Sequence, residues 1–385
     1  MSSLPATNKA TDGAYRVMVV DDSAVIRGLI SRWLEADPEI TVVATAANGV
    51  MALRSLVPSA AEVVILDVEM PEMDGMTALP RIIEAAPHVK VIMASTLTRR
   101  NAEISVRAME AGAADYIPKP ESTRAVNTSQ DFRTEVLAKV KALGRAAREG
   151  GQPSTAALPA GKPDSGQISG RTVAIHIASA TQTNRDVTLR RISSARPRVM
   201  VVGSSTGGPQ ALFRFLGDMQ GPLNVPILIT QHMPATFTTI LAEHLARNLN
   251  RPCREGQDGM PVEAGNIYLA PGNHHMVVVE EGGGPVIHLN QDPPENYCRP
   301  SVNALFRSAA RVYGPAILAV MLTGMGSDGL EGSRLIAEGG GTIVAQDRET
   351  SVVWGMPGAV TSAGLASVVA PLDRIGGIAS QLLRG

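Results

Sequence analysis

Short apolar runs alternate with amphipathic segments along two separate parts of the chain. Between residues 15 and 120 the apolar runs are YRVMVVDD, TVVATAANG, VVILDVEM, KVIMAST and DYIPKP, separated by helix-like segments such as SAVIRGLISRWLEA and NAEISVRAMEAGA. Beyond residue 198 the runs are RVMVVGSS, VPILITQHM, NIYLAPG, AILAVMLTG and GGTIVAQD. This alternation is typical of βαβ units that build a parallel sheet. The pattern therefore predicts an α/β protein with two doubly wound parallel-sheet domains.

The predicted domain boundaries follow the changes in this pattern. The first domain covers residues 15–140 and is followed by a helical segment, DFRTEVLAKVKALGRAARE. Residues 150–197 are predicted to be a flexible linker, because Gly, Pro, Ser and Ala dominate its first part. The linker also holds TVAIHIASA, which is either an extra strand or an apolar patch that docks on a domain. The second domain covers residues 198–385, where HHMVVVEEGGGPVIHLN predicts a β-hairpin with a glycine turn.

Composition narrows the class of protein. A length of 385 residues with 44% hydrophobic residues fits two globular domains. A net charge of −1 gives no electrostatic basis for nucleic-acid binding. The two cysteines lack metal-ligand spacing and are predicted to be reduced thiols. The polar N-terminus and the absence of a long apolar run predict a cytoplasmic protein without a signal peptide or membrane insertion.

Carboxylates follow the strands of the first predicted sheet. Asp21 and Asp22 end the first strand, and Asp67 ends the third. Carboxyl ends of neighbouring parallel strands meet at one edge, so these groups are expected to lie together. They would repel one another unless a hard cation such as Mg²⁺ lay between them. Ser95 and Lys119 end the fourth and fifth strands, where an ammonium can pair with a phosphate.

This constellation resembles the receiver domain of bacterial response regulators, which has a flavodoxin-like fold. The resemblance rests on the acidic pair, on DVEMPEMDG after the third strand and on the Lys-Pro after the fifth. It implies that Asp67 accepts a phosphoryl group from a histidine kinase. For Mg²⁺ binding it implies Asp21, Asp22, Asp67 and the carbonyl of Glu69. For the response to phosphorylation it implies the switch residues Ser95, Lys119 and Tyr116.

The first turn of the second domain, GSSTGG at 203–208, does not fit a dinucleotide-binding turn. Ser205 stands where the second glycine would admit a pyrophosphate, and the acid expected after the next strand is replaced by TQHMP. The turn does match G-x-S-x-G, which exposes a serine above a sheet at a helix N-terminus. His232 and Asp328 also follow strands, so a parallel sheet would gather a serine, a base and a carboxylate at one edge. The order Ser, His, Asp argues against the α/β-hydrolase fold.

Five motifs extend the resemblance over most of the chain: GSSTGG, QHMP, LAPGNHHM, CRPSVNALF and LTGMGSDG. In this order behind a receiver domain they closely resemble the chemotaxis protein-glutamate methylesterases of the CheB type, with a Rossmann-like catalytic domain. The resemblance implies a phosphorylation-regulated serine esterase that releases methanol from glutamate γ-methyl esters on chemoreceptors, and that also deamidates glutamine. It implies no cofactor for the esterase site. The residues that it assigns are Ser205 as nucleophile, His232 as base, Asp328 as orienter, the Met325 N–H for the oxyanion, and Thr206 and His275 as site lining.

Three other output functions are weighed against this one. The main alternative is a response regulator whose second domain binds a protein without catalysing a reaction. A nucleotide-binding oxidoreductase is disfavoured by Ser205 and by the missing acid. A DNA-binding output is disfavoured because no basic patch or helix-turn-helix pattern follows Arg198.

Overall fold

The computed structural model describes residues 13–96, 98–119, 130–150 and 188–384. Within these ranges the chain forms two open parallel sheets with helices packed against them, so the predicted α/β class is confirmed. The stretch TVAIHIASA, residues 172–180, lies outside the described residues. None of the helices in the described ranges combines the length and apolar character that a bilayer span requires.

The first domain contains a five-stranded sheet of order β2-β1-β3-β4-β5, in which every pairing is parallel. Its strands are Tyr15–Val20 (β1), Ile40–Ala46 (β2), Val63–Asp67 (β3), Lys90–Thr96 (β4) and Asp115–Lys119 (β5). Its helices are Ala24–Glu35 (α1), Gly49–Ser59 (α2), Gly75–Ala85 (α3), Arg99–Glu110 (α4) and Gln130–Gly150 (α5). The strand order reverses between β1 and β3, which places a crevice at the carboxyl ends of those two strands.

Side-chain caps begin the first four helices. Each cap accepts a hydrogen bond from a free N–H of the first turn, which fixes where the helix starts. The capping residues are Ser23, Asn48, Asp74 and Thr98. These short polar residues directly precede apolar periodic segments, so the helix starts are encoded locally.

The second domain contains a seven-stranded sheet of order β14-β13-β12-β6-β7-β9-β8, again parallel throughout. Its strands are Val199–Ser204 (β6), Ile227–Gln231 (β7), Cys253–Glu255 (β8), Ile267–Leu269 (β9), Ile317–Met321 (β12), Thr342–Gln346 (β13) and Val368–Ala370 (β14). Its helices are Gly208–Gly217 (α6), Ala235–Leu249 (α7), Val302–Tyr313 (α8), Leu330–Glu338 (α9), Met356–Ser362 (α10) and Leu372–Arg384 (α11). The chain order reverses between β6 and β12, so the crevice of this sheet opens there.

The predicted hairpin is present as a separate antiparallel pair, His275–Glu281 (β10) and Gly284–Asn290 (β11). Gly282 and Gly283 form its turn with φ angles of 62° and 89°, a left-handed conformation that glycine adopts without strain. The three-residue strands β8 and β14 were not predicted, because neither forms a distinct apolar run of strand length.

Residues 188–197 run along the second domain without forming a helix or strand. The backbone N–H of Arg190 donates to Ala366 O at 2.9 Å, and the Ser193 N–H donates to Thr342 Oγ1 at 3.0 Å. In the structure, the last residues of the predicted linker therefore pack against the second sheet.

The two domains share an apolar interface on one side of the first sheet. The ring of Tyr116 on β5 stacks on Phe237 of α7, with centroids 4.3 Å apart and planes inclined by 17°. Both rings are buried and belong to one continuous cluster that includes core residues of both domains. Tyr116 is therefore buried against the second domain.

The core of the first domain gives a stability prediction. Leu79 on α3 is fully buried, whereas Val57 on α2 is 68% exposed. Leu79→Ala is expected to destabilise the first domain by about 2–5 kcal/mol, because it removes buried methyl groups and leaves a cavity. The matched Val57→Ala is expected to change stability by less than about 0.5 kcal/mol. Urea unfolding followed by the fluorescence of Trp33, which lies in this domain, measures both; equal effects would contradict the described packing.

Candidate active site and phosphoacceptor site

The turn after β6 is shaped by close packing. Gly207 has a φ of 75°, and a Cβ on it would come within 2.5 Å of Val352 Cβ. A Cβ on Gly208 would lie 1.9 Å from Gln231 Oε1. These glycines are therefore required by neighbouring side chains of the same domain. Ser205 is partly exposed, whereas Ser204 and Thr206 on either side of it are buried.

The backbone of Ser205 is held from both neighbouring strands. Its N–H donates to Thr323 O at 3.0 Å, beyond the end of β12. Its carbonyl accepts from Gln231 Nε2 at 2.9 Å, at the end of β7. The side-chain oxygen of Gln231, Oε1, accepts a hydrogen bond from Ser204 Oγ at 2.7 Å. Sequence reasoning missed Gln231, although a polar residue at the end of a buried strand was a visible signal.

His232 and Asp328 are brought together as predicted, with 2.8 Å between His232 Nε2 and Asp328 Oδ2. The carboxylate is 2% exposed and accepts four further hydrogen bonds of 2.7–3.4 Å, from Val302 N, Ser301 Oγ, Asn296 Nδ2 and Asn303 N. Burial alone would raise the pKa of Asp328, but hydrogen bonds from His232, Val302 and Ser301, together with the charge of His232, lower it. Asp328 is therefore ionised and fixed in one orientation.

The second ring nitrogen of His232 faces a thiol. Cys298 Sγ lies 3.5 Å from His232 Nδ1. Burial opposes the charged imidazolium, but the interactions with Asp328 and Cys298 outweigh it and raise the pKa of His232 to about 10. Among the described residues, Ser205 Oγ has no hydrogen-bond partner, so the structure does not join it to His232. Ser205 is nevertheless adjacent, since His232 N donates to Ser204 O at 3.2 Å.

The three predicted lining residues have different surroundings. Thr206 is buried, and its hydroxyl donates to Asp115 Oδ2 of the first domain at 2.7 Å. His275 is also buried, and its Nδ1 accepts a hydrogen bond from Ser301 N at 3.1 Å. Because Ser301 also bonds the Asp328 carboxylate, His275 is connected to that carboxylate through one intervening residue. Met325 is 36% exposed, and its N–H donates to none of the described residues. A free N–H at this position can stabilise an oxyanion.

Sequence reasoning missed the residues that surround the His-Asp pair. Ser301, Asn296 and Cys298 all come from the segment after the hairpin. The motif CRPSVNALF contains two of them, and a serine ahead of an apolar periodic segment predicts a helix cap. The carboxylate bound at that cap comes from a distant turn, so its identity was not visible locally.

The carboxylates of the first domain meet as predicted. Asp21, Asp22 and Asp67 each offer an oxygen, and these oxygens lie within 4.8 Å of one another. Lys119 Nζ is 2.7 Å from Asp67 Oδ1 and 3.1 Å from Asp21 Oδ2. Burial and the charge of Asp21 outweigh this ammonium and raise the pKa of Asp67 to about 6. Three carboxylates against one ammonium suit a hard divalent cation, so the donor set fits Mg²⁺. The Glu69 side chain is exposed and forms no hydrogen bond or ion pair with the described residues.

The predicted switch residues lie between this cluster and the second domain. The hydroxyl of Ser95 is buried and shares a hydrogen bond of 2.9 Å with Ser105 on α4. Helix α4 in turn contacts α7 of the second domain, where Arg99 pairs with Glu243 at 2.9 Å. Tyr116, next to Asp115, stacks on Phe237 as described above. The cluster and the Ser205 turn are therefore joined by a short series of contacts.

Comparison with known proteins matches both parts of the chain. The family model described as "Response regulator receiver domain" matches residues 17–129, and that described as "CheB methylesterase" matches residues 200–378. A crystal structure of the Thermotoga maritima CheB methylesterase catalytic domain is 36% identical, with a TM-score of 0.47, and covers 49% of this chain and 99% of its own.

Two curated relatives are similar over nearly the whole length. The protein-glutamate methylesterase/protein-glutamine glutaminase of group 2 operon from Rhodospirillum centenum is 52% identical over 94% of this chain and 92% of its own. The protein-glutamate methylesterase/protein-glutamine glutaminase 1 from Rhodospirillum rubrum is 50% identical over 96% of this chain and 95% of its own. The chain therefore belongs to the CheB methylesterase family, with a response regulator receiver domain in front of its methylesterase domain.

Proposed function

We propose that this chain is a protein-glutamate methylesterase and protein-glutamine glutaminase that acts on chemoreceptors in the cytoplasm and is controlled by phosphorylation of its receiver domain. The observation that carries the proposal is the pair of partly buried His232 and buried Asp328, 2.8 Å apart, on the loops that flank the Ser205 turn. The names of the full-length relatives support the substrate class. A non-catalytic binding domain would not need an ionised, fully hydrogen-bonded carboxylate against a histidine.

The chemistry follows from which ring nitrogen Asp328 leaves available. Asp328 holds Nε2–H of His232, so in the neutral imidazole Nδ1, which faces the Cys298 thiol, is the atom that takes the proton of the Ser205 hydroxyl. Ser205 Oγ forms a bond to the ester carbonyl carbon, and the resulting oxyanion accepts a hydrogen bond from the Met325 N–H. Collapse breaks the bond to the methoxy oxygen, which leaves as methanol with the proton from His232. Water, activated by the same nitrogen, then releases the glutamate carboxylate; a glutamine side chain would release ammonia instead.

The receiver domain supplies the control. A histidine kinase is the proposed phosphodonor and Asp67 the acceptor. Asp21, Asp22, Asp67 and the carbonyl of Glu69 would hold Mg²⁺, which neutralises charge on the phosphoryl group when bound. Lys119 already touches Asp67 and would remain paired with the phosphorylated side chain. Ser95 would exchange its bond with Ser105 for one with the phosphoryl group.

The contacts between domains explain how the unphosphorylated receiver would inhibit the esterase. Asp115 binds the hydroxyl of Thr206, the residue directly after the proposed nucleophile. Val352 lies on Gly207 of the same turn and also packs against the receiver core. Because Asp115 shares strand β5 with Lys119, a rearrangement around phosphorylated Asp67 would reach Thr206 along one strand. Loosening this contact would free the Ser205 turn for a receptor helix.

The nucleophile can be tested against its neighbour. Ser205→Ala is expected to lower the rate of methanol release from radiomethylated receptor membranes by about 10⁴-fold or more, because the attacking oxygen is gone. Ser204→Ala removes only a buried hydroxyl that holds Gln231, so a loss within about tenfold is expected. Full activity of Ser205→Ala would instead support another nucleophile, and no release by the wild type would support a binding domain.

The inhibitory contact can be tested at Asp115. Asp115→Asn turns a charge-assisted hydrogen bond to Thr206 into a neutral one, a loss of about 1 kcal/mol; it also removes the ion pair of Asp115 with Lys139 within the receiver, so urea unfolding of the variant is measured alongside. The unphosphorylated rate of methanol release is therefore expected to rise about fivefold, with a much smaller change in the presence of a small-molecule phosphodonor. Arg99→Gln is the matched control at the same interface: its ion pair is exposed, so less than a twofold change is expected. An unchanged or lower basal rate in Asp115→Asn would overturn the inhibition.

The raised pKa of Asp67 gives a prediction for stability. The pKa is about 6 in the folded protein and 3.8 ordinarily, so the folded state binds the extra proton between about pH 4 and 6. Stability of the wild-type receiver should therefore fall as pH rises through this window. Asp67→Asn avoids that loss and is expected to be more stable at pH 7 by at most about 3 kcal/mol. The advantage should disappear below about pH 4.

The measurement is urea unfolding of the receiver at several pH values, without divalent cations. Added Mg²⁺ should stabilise the wild type more than Asp67→Asn, since one carboxylate ligand is missing in the variant. A wild-type receiver that gains stability between pH 4 and 6 relative to Asp67→Asn would contradict the raised pKa.

A further inference from the structure

One thiol in the candidate active site has no task in the proposed mechanism. Cys298 Sγ lies 3.5 Å from Nδ1 of His232, the nitrogen proposed to take the serine proton. The thiol is partly exposed, so small solutes can reach it. The ligand atoms of His232, Cys298 and Asp328 lie within 4.8 Å of one another. A thiol and an imidazole are donor types of zinc sites, and here they lie together beside a carboxylate.

The backbone holds Cys298 in this position. The N–H and carbonyl of Cys298 exchange hydrogen bonds of 2.9 Å and 3.2 Å with Glu295 across a tight turn. The two residues between them, Asn296 and Tyr297, have φ angles of 51° and 64°, in the left-handed region. Non-glycine residues occupy this region at a cost, so the surroundings must hold the turn in place. The approach of the thiol to the imidazole is thus built into the fold.

The distance between the two atoms matches a metal-binding geometry. Zinc binds histidine nitrogen at about 2.0–2.1 Å and thiolate sulfur at about 2.3 Å in a tetrahedral arrangement, which separates the two ligand atoms by about 3.5–3.6 Å. The observed separation is 3.5 Å. Asp328 accepts the other ring N–H of His232, as the outer carboxylate does in carboxylate–histidine–zinc groups. Its remaining hydrogen bonds keep it in that outer position.

We propose that His232 Nδ1 and Cys298 Sγ form a binding site for Zn²⁺ that reversibly inhibits the esterase. Zinc displaces the thiol proton of Cys298, and that proton leaves to solvent. The lone pair that would accept the Ser205 proton is then bound to the metal, so attack on the ester stops. That inhibitory consequence rests on the proposed function of His232; the metal site itself does not.

The ligand types also separate this site from the receiver cluster. Thiolate and imidazole select zinc over magnesium, whereas the all-carboxylate group of Asp21, Asp22 and Asp67 suits magnesium. Mg²⁺ used for phosphorylation therefore does not occupy the site at Cys298. The inhibition is consequently expected from zinc in the presence of excess Mg²⁺.

The binding test uses the full chain, freed of metal with a chelator, and Co²⁺ as a spectroscopic substitute for zinc. A cobalt–thiolate bond gives charge-transfer absorption in the near ultraviolet, which carboxylate sites do not give. The band is expected in the wild type and in the catalytically inactive Ser205→Ala, and zinc should abolish it. It should be absent in Cys298→Ser. Circular dichroism establishes that the serine variant is folded, and Cys298→Ala serves as a second variant.

Cys253→Ser is the matched control. Burial raises the pKa of the Cys253 thiol to about 12, so this cysteine is a poor source of thiolate. Its substitution is expected to leave the cobalt band and the zinc response as in the wild type. Loss of the band in Cys253→Ser, or its persistence in both folded Cys298 variants, would overturn the assignment.

The functional test measures methanol release against zinc concentration, with each variant compared to its own metal-free rate. The zinc concentration for half-inhibition is expected to rise at least about tenfold in Cys298→Ser, and a chelator should restore the wild-type rate. No cobalt band in the wild type would reject the metal site whatever the activity. A cobalt band in an active enzyme that zinc does not inhibit would reject the inhibition, and a band in a chain without esterase activity would reject only the proposed function.

Discussion

The edge of the second domain that carries the proposed catalytic residues depends on one buried carboxylate. Asp328 lies at the N-terminus of α8, where it accepts hydrogen bonds from Val302 N and Ser301 Oγ. A negative charge at a helix N-terminus is stabilised by the free N–H groups and the helix dipole, which offsets the several kcal/mol that burial of an ion requires. The same carboxylate holds Nε2 of His232. One carboxylate therefore supports both the start of α8, which Ser301 caps, and the orientation of the proposed base.

The arrangement of the proposed triad follows from the order of strands. In the sheet, β6 lies between β12 and β7, so the Ser205 turn is central, with Asp328 and His232 arriving from its two neighbours. Two strand spacings separate β12 from β7 by about 10 Å, a gap that the two side chains cross to meet at 2.8 Å. The pair therefore has to meet above the end of β6. This explains why Ser, His, Asp is the chain order here, since β6 and β7 precede the strand that returns on the other side.

Much of this could be predicted from sequence, because the signals were local. Apolar runs identified the long strands, and polar residues directly after those runs identified Ser205, His232, Asp67 and Lys119. The strands β8 and β14 were missed because neither forms a distinct apolar run, unlike the equally short β9. Asn296 and Cys298 were missed because their partners, Asp328 and His232, lie far away in the chain; Gln231 was missed although a polar residue at the end of a buried strand was a local signal. The bond from Thr206 to Asp115 joins residues 91 positions apart in two domains, which no local pattern specifies.

Both sites lie where the strand order of their sheet reverses, and this shared position links control to chemistry. In the receiver the reversal lies between β1 and β3, beside Asp21 and Asp67; in the esterase it lies between β6 and β12, beside Ser205 and Asp328. Strand β5 spans the distance between them, with Lys119 at the carboxylates and Asp115 at Thr206. Because Asp115 also pairs with the partly buried Lys139, its position is fixed within the receiver rather than free to follow Thr206. A shift of β5 therefore breaks the hydrogen bond between Asp115 and Thr206 more easily than it moves the turn that carries Ser205. Breaking this bond is the step that release of an inhibited site requires.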